Sequence, residues 1–92
     1  MSAQSIEYHF EVYEESFTNA PVWSVEALTP FPAVSIGDRF NHVGLDVAWG
    51  RTATDEEEYR VVDIDHYFSQ SEGKLAYKTM VKLMLKHRNQ IY

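Results

Sequence analysis

The stretch Lys74-Leu-Ala-Tyr-Lys-Thr-Met-Val-Lys-Leu-Met-Leu-Lys86 fits two periods, and the choice between them sets the fold class. At period two, Leu75, Tyr77, Thr79, Val81, Leu83 and Leu85 fall on one face, and Lys74, Lys78, Lys82 and Lys86 fall on the other. At period 3.6 the lysines form a stripe at spacing four, opposite an arc of Ala76, Tyr77, Met80, Val81, Leu83 and Met84, with Ser71 as the N-cap. A helix over 72–88 would make the chain α+β. Tyr77, Thr79 and Val81 favour an extended backbone, and the helix would strand Leu75 and Leu85 among the lysines, so the strand is preferred. The turn residues Ser69 to Gly73 then close a hairpin with the segment before them.

That segment, Tyr59 to Phe68, is the clearest strand in the chain. Val62, Ile64, His66 and Phe68 share one face, while Asp63 and Asp65 share the other. Two aspartates on one face, joined by Asp46 or His42, have the chemistry to hold a hard divalent cation. His66 points away from both, and the spacing matches no carboxylate–histidine motif. Cross-strand pairing of Asp63 or Asp65 with Lys78 or Lys82 is the better account, so no metal or other cofactor is assigned.

Upstream, Ser5 to Glu14 alternates with Ile6, Tyr8, Phe10 and Val12 on one face and Glu7, His9, Glu11 and Tyr13 on the other. Pro21 begins a shorter run, Val22 to Leu28, and Thr29-Pro-Phe-Pro32 is a stiff connector. Gly37-Asp38 reads as a turn or bulge, with Gly37 at positive φ and Asp38 bonding nearby amides. His42 to Trp49 alternates again, and Gly50 to Glu58 is an acidic arm, mobile in isolation, leading into Tyr59. The expected fold is mainly β: a small antiparallel sheet or partly open barrel of about five strands. Over residues 34–86 this architecture is similar to SH3-like or OB-like barrels, with no specific motif behind the similarity.

A chain of 92 residues with 45% hydrophobic content supports one core, so residues 1–92 are read as a single domain. Absence of cysteine excludes disulfide scaffolds and thiolate chemistry, and the N-terminus carries no secretory signal. No apolar run approaches the ~20 residues needed to span a bilayer. A cytoplasmic protein without a membrane partner is expected.

Charge is distributed unevenly. Up to Glu58 acids dominate, with only Arg39 and Arg51 opposing them, and after Tyr59 lysine and arginine prevail. Mixed sign lets acidic and basic strands lie side by side, and it also offers surfaces to a partner. No Gly-x-Ser-x-Gly, phosphate-cradling loop or nucleophile–base constellation occurs, so the chain is not read as an enzyme.

The leading reading is a non-catalytic protein–protein interaction module, an adaptor or small inhibitor. Its expected contacts are Glu14, Glu15, Asp55, Glu56, Glu57 and Glu58 toward a basic surface, Lys74, Lys78 and Lys82 on the basic segment, and Trp49 as an anchor beside Trp23. A single-stranded nucleic-acid-binding barrel, using Tyr67, Phe68 and Tyr77 near the lysines, is the second reading, weakened by the net charge of -6. Open sheet edges at Ser5 to Glu14 or Lys74 to Lys86 would also admit a homodimer.

Overall fold

The computed structural model describes residues 5–41, 44–45 and 54–88. Five strands appear in chain order: β1 (Ser5–Glu14), β2 (Trp23–Ala27), β3 (Arg39–Phe40), β4 (Glu57–Ser71) and β5 (Lys74–His87). They form one mixed sheet in the order β2-β1-β5-β4-β3, curled into a half-barrel. The chain is therefore mainly β, and Lys74–His87 is a strand; the helical alternative over 72–88 is excluded. The expected strand at His42 to Trp49, and with it Trp49, lies outside the described residues apart from Gly44 and Leu45.

The β4–β5 hairpin is the spine. Its turn is Glu72-Gly73, both at positive φ (44° and 79°), which is the geometry that matches the right-handed twist of flanking strands. Ser71 faces Lys74, and pairing runs back to Glu57 opposite His87. A bulge interrupts it between Val61 and Asp63. Before the bulge Tyr59 and Val61 face inward, opposite Leu85 and Leu83; after it Ile64, His66 and Phe68 do, opposite Val81, Thr79 and Tyr77. Val62 is the extra residue. Its expected place beside Ile64 is thus corrected to Val61, because one inserted residue reverses the parity of the strand.

β1 lies beside β5 and runs parallel to it, with Val12 opposite Val81, while β2 covers the other side of β1 in antiparallel pairing. A wholly antiparallel sheet and open edges on β1 and β5 were expected; instead both strands are interior. Crossing from β1 to β5 through the intervening strands allows the parallel match, and it places the acidic strand against the basic one. Phe10, Val12, Tyr59, Val61, Val81 and Leu83 form the core, with Trp23, Phe31, Val34 and Phe40 packed against it.

Gly37 takes the expected positive φ (96°), its N–H donates to the Val61 carbonyl at 2.7 Å, and the Val61 N–H donates to the Asp38 carbonyl at 2.9 Å. The Asp38 carboxylate accepts from the Ser35 N–H at 2.8 Å. This turn shields the edge of β4 as far as Val61. Beyond that residue no described strand pairs with β4 on the side away from β5.

Candidate functional site

The charged residues singled out in the sequence are largely engaged with one another. On the convex face Lys74 lies 3.4 Å from Glu7, Lys78 3.5 Å from Glu11 and Lys82 3.8 Å from Asp63. Lys78 also sits over the Tyr67 ring and Lys82 over the Phe17 ring, 5.7 and 5.5 Å from the centroids. The Asp63–Lys82 pair is the cross-strand contact expected of that aspartate, while Lys78 chooses β1. These half-exposed pairs screen the basic stripe more than they stabilise the sheet, since such pairs are worth about 0.2–1 kcal/mol each.

The acidic arm is likewise held from within. The Arg88 N–H donates to the Glu56 carbonyl at 2.8 Å and Arg88 Nε to the Asp55 carbonyl at 2.7 Å; His87 Nε2 is 3.5 Å from Glu56. Glu57 closes its own turn through the Thr54 amide at 3.3 Å. Glu58 is only 7% exposed and faces three guanidinium groups, those of Arg60, Arg39 (3.9 Å) and Arg88 (3.7 Å). A carboxylate in that position holds the ends of β3, β4 and β5 together, and it does not present itself to a second molecule. Glu14 accepts the Tyr59 hydroxyl at 2.7 Å, and Glu15, exposed and at positive φ (71°), donates its N–H to the Leu83 carbonyl at 2.9 Å.

On the outer face of β1, the Tyr13 hydroxyl donates to Glu11 at 2.6 Å. Burial, then the hydrogen bond and the charge of Glu11, push the Tyr13 phenol up to about 12. Glu7 and His9 on β1 meet Glu26 on β2, with ligand-type atoms within 4.8 Å of one another. His9 stands between the two carboxylates, Nε2 3.6 Å from Glu7 and Nδ1 3.7 Å from Glu26, and Lys74 already pairs with Glu7. The arrangement is a cross-strand ion network. It could not be read before the His9–Glu26 register was known.

The distal end of the hairpin is different. β2 pairs with β1 only from Tyr8 to Val12, and β3 pairs with β4 only at Tyr59 and Arg60, so the half-barrel is left unclosed there. Its concave surface carries Tyr8, Tyr77, Phe68 and His66. Phe68 and Tyr77 have ring centroids 4.7 Å apart, Tyr8 meets Tyr77 edge-on at 6.2 Å, and His66 stacks on Tyr77 while its Nδ1 shares a 2.6 Å hydrogen bond with the Tyr77 hydroxyl. Where the Pro30–Val34 connector crosses this surface it leaves a cleft of about 320 Å³ against Tyr8, His66, Tyr77 and Thr79. Phe68 is 62% exposed, and Tyr67, on the convex side, 56%.

Sequence reasoning placed these aromatics near the lysines and gave them to a groove for single strands. Phe68 and Tyr77 instead occupy the concave face, opposite the lysines, while Tyr67 stands on the lysine face with Lys78 over its ring. The parity of β5 contained that signal, because Tyr77 alternates with Lys74 and Lys78. Trp23, the described member of the tryptophan pair, is half-buried and packs edge-on against Phe10 at 6.2 Å.

Among the described residues no helix is long and apolar enough to cross a membrane. Comparison with protein-family models, with characterised proteins and with solved structures finds no match for this chain.

Proposed function

We propose that the protein is a non-catalytic protein–protein interaction module, an adaptor or small inhibitor, and that its contact surface is the aromatic distal end of the half-barrel. The observation that carries this reading is the exposure of Phe68 and Tyr67, 62% and 56% on the two faces of a sheet end that lies beyond the reach of β2 and β3. Large exposed aromatics on a preformed sheet lose little conformational freedom on binding, and for that reason they dominate interface energetics. Tyr8, Tyr77 and the connector prolines extend the same surface into the cleft, giving a partner side chain a place to insert.

The charge pattern supports a protein partner over a nucleic acid. Lys74, Lys78 and Lys82 are already within 3.4–3.8 Å of carboxylates, so phosphate would have to displace Glu7, Glu11 and Asp63 without the gain of a bare basic groove. The exposed acids Glu15, Asp55 and Glu56 lie at the opposite end of the sheet, away from this surface.

Affinity purification of the tagged protein from its native cells tests the proposal. A protein that co-purifies stoichiometrically and is lost with Phe68→Ser, but retained with Ile36→Ser at an exposed apolar site elsewhere, is the expected result. Recovery of nucleic acid that resists nuclease-free high-salt washing, with no stoichiometric protein, would overturn it.

A further inference from the structure

The edge of β4 beyond the bulge has a defined hydrogen-bonding parity. The two-residue turn makes Ser71 and Lys74 a hydrogen-bonded pair, so the odd-numbered residues back to Asp63 direct their amides at β5. Ile64, His66, Phe68 and Gln70 therefore direct theirs outward. Two of these are occupied: the Asp63 carboxylate accepts the Ile64 N–H at 2.9 Å, and the Asp65 carboxylate accepts the His66 N–H at 3.0 Å. Along β4 the short segment from Tyr67 to Ser71 is left with an ungated edge among the described residues, and it carries the most exposed aromatics in the sheet.

We infer that this segment pairs with itself: two copies of the chain join antiparallel through Tyr67–Ser71 about a two-fold axis at Ser69. In that register Phe68 of one copy faces Gln70 of the other, and both residues exchange N–H and carbonyl, making four backbone hydrogen bonds without disturbing either aspartate cap. Ser69 meets Ser69 at the axis, where small side chains allow the closer approach of a non-hydrogen-bonded pair. Tyr67 faces Ser71, and the two Phe68 rings come into diagonal reach on the concave side.

Charge fits the same register. The paired segment Tyr67–Ser71 carries no charged residue, so no two like charges face each other across it. The occupant is thus a second copy, because the segment is complementary to its own reverse in hydrogen bonding and size and brings no charge repulsion to the pairing. Pairing stops where the Asp65 cap begins, which limits the assembly to a dimer and makes it a weak one, the interface being short of the roughly 1,200 Å² typical of stable complexes. Joined in this way, the two concave aromatic faces become continuous.

Sedimentation equilibrium of the full chain across a micromolar to near-millimolar range tests the inference. The expected result is a reversible rise from 10.7 kDa to twice that mass. Gln70→Pro removes two of the four bonds at an amide that faces solvent in the single chain, and it should weaken the dimer by about tenfold or more. Ser69→Lys sets two lysines face to face on the axis and should abolish it. Circular dichroism of both variants confirms the sheet. A chain that stays at 10.7 kDa throughout, or a dimer that survives Ser69→Lys with the sheet intact, overturns the inference. Both variants keep Phe68 and Tyr77, so capture of a different protein by the monomeric variants would separate failure of the dimer from failure of the proposed function.

Discussion

Replacing Glu58 with Gln removes one charge, changes almost no volume, and tests whether the acidic arm is structural. The carboxylate faces Arg60, Arg39 at 3.9 Å and Arg88 at 3.7 Å. Arg39 and Arg88 side chains are half-exposed or more, so each contributes at most about 1 kcal/mol after screening. Arg60 is mostly buried, and breaking a buried pair costs about 3–5 kcal/mol, of which the Gln amide retains part through hydrogen bonding. A loss of about 3 kcal/mol is expected. For a chain of this size that lowers Tm by roughly 12 to 24 °C.

Urea denaturation followed by tryptophan fluorescence measures it: the midpoint should fall with the slope unchanged, showing lost stability and not a changed unfolded state. A double-mutant cycle with Arg60→Gln should return most of the effect as coupling, and one with Arg39→Gln less than about 1 kcal/mol. A loss below about 1 kcal/mol for Glu58→Gln, in the range of a surface pair, would refute the view that this residue holds three strands together.

Three further outcomes follow from the same geometry. Tyr13, raised from 10.0 to about 12, stabilises the fold fully below pH 10, and that contribution is lost as pH rises from 10 through 12; ultraviolet titration should show one tyrosinate appearing near 12 that is missing in Tyr13→Phe. Glu15→Gly should stabilise the protein by up to about 1 kcal/mol in thermal unfolding, because φ of 71° suits glycine and the side chain is exposed. Replacing Asp63 and Asp65 together by Ala frees two outward amides on β4, and light scattering should show stronger self-association with an unchanged circular dichroism spectrum.

Alternation in the sequence was enough to find β1, β2, β4 and β5, because each strand has one buried and one wet face. It reports which residues share a face and nothing about which strand lies alongside. The parallel match of β1 with β5 was therefore illegible, and so were the pairs Lys74–Glu7 and Lys78–Glu11 that depend on it. The bulge was hidden by its own composition: Val61 and Val62 are the same residue, so a shift of one leaves the apolar count unchanged. Asp63 and Asp65 drew attention as possible ligands, and their described role is to cap the strand they stand on. The aromatic end was visible as residues but not as a surface, since exposure of Phe68 follows from how far β2 and β3 extend.

The measurement that bears most directly on the contact surface is site-specific photo-crosslinking in the native cells. A benzophenone amino acid at Phe68 should yield a protein adduct of defined mass, whether a different protein or a second copy of this chain, and the same probe at Ile36 should not. Adducts from Ile36 alone, or nucleic-acid adducts from Phe68, would contradict the assignment of the distal end as a protein-binding surface.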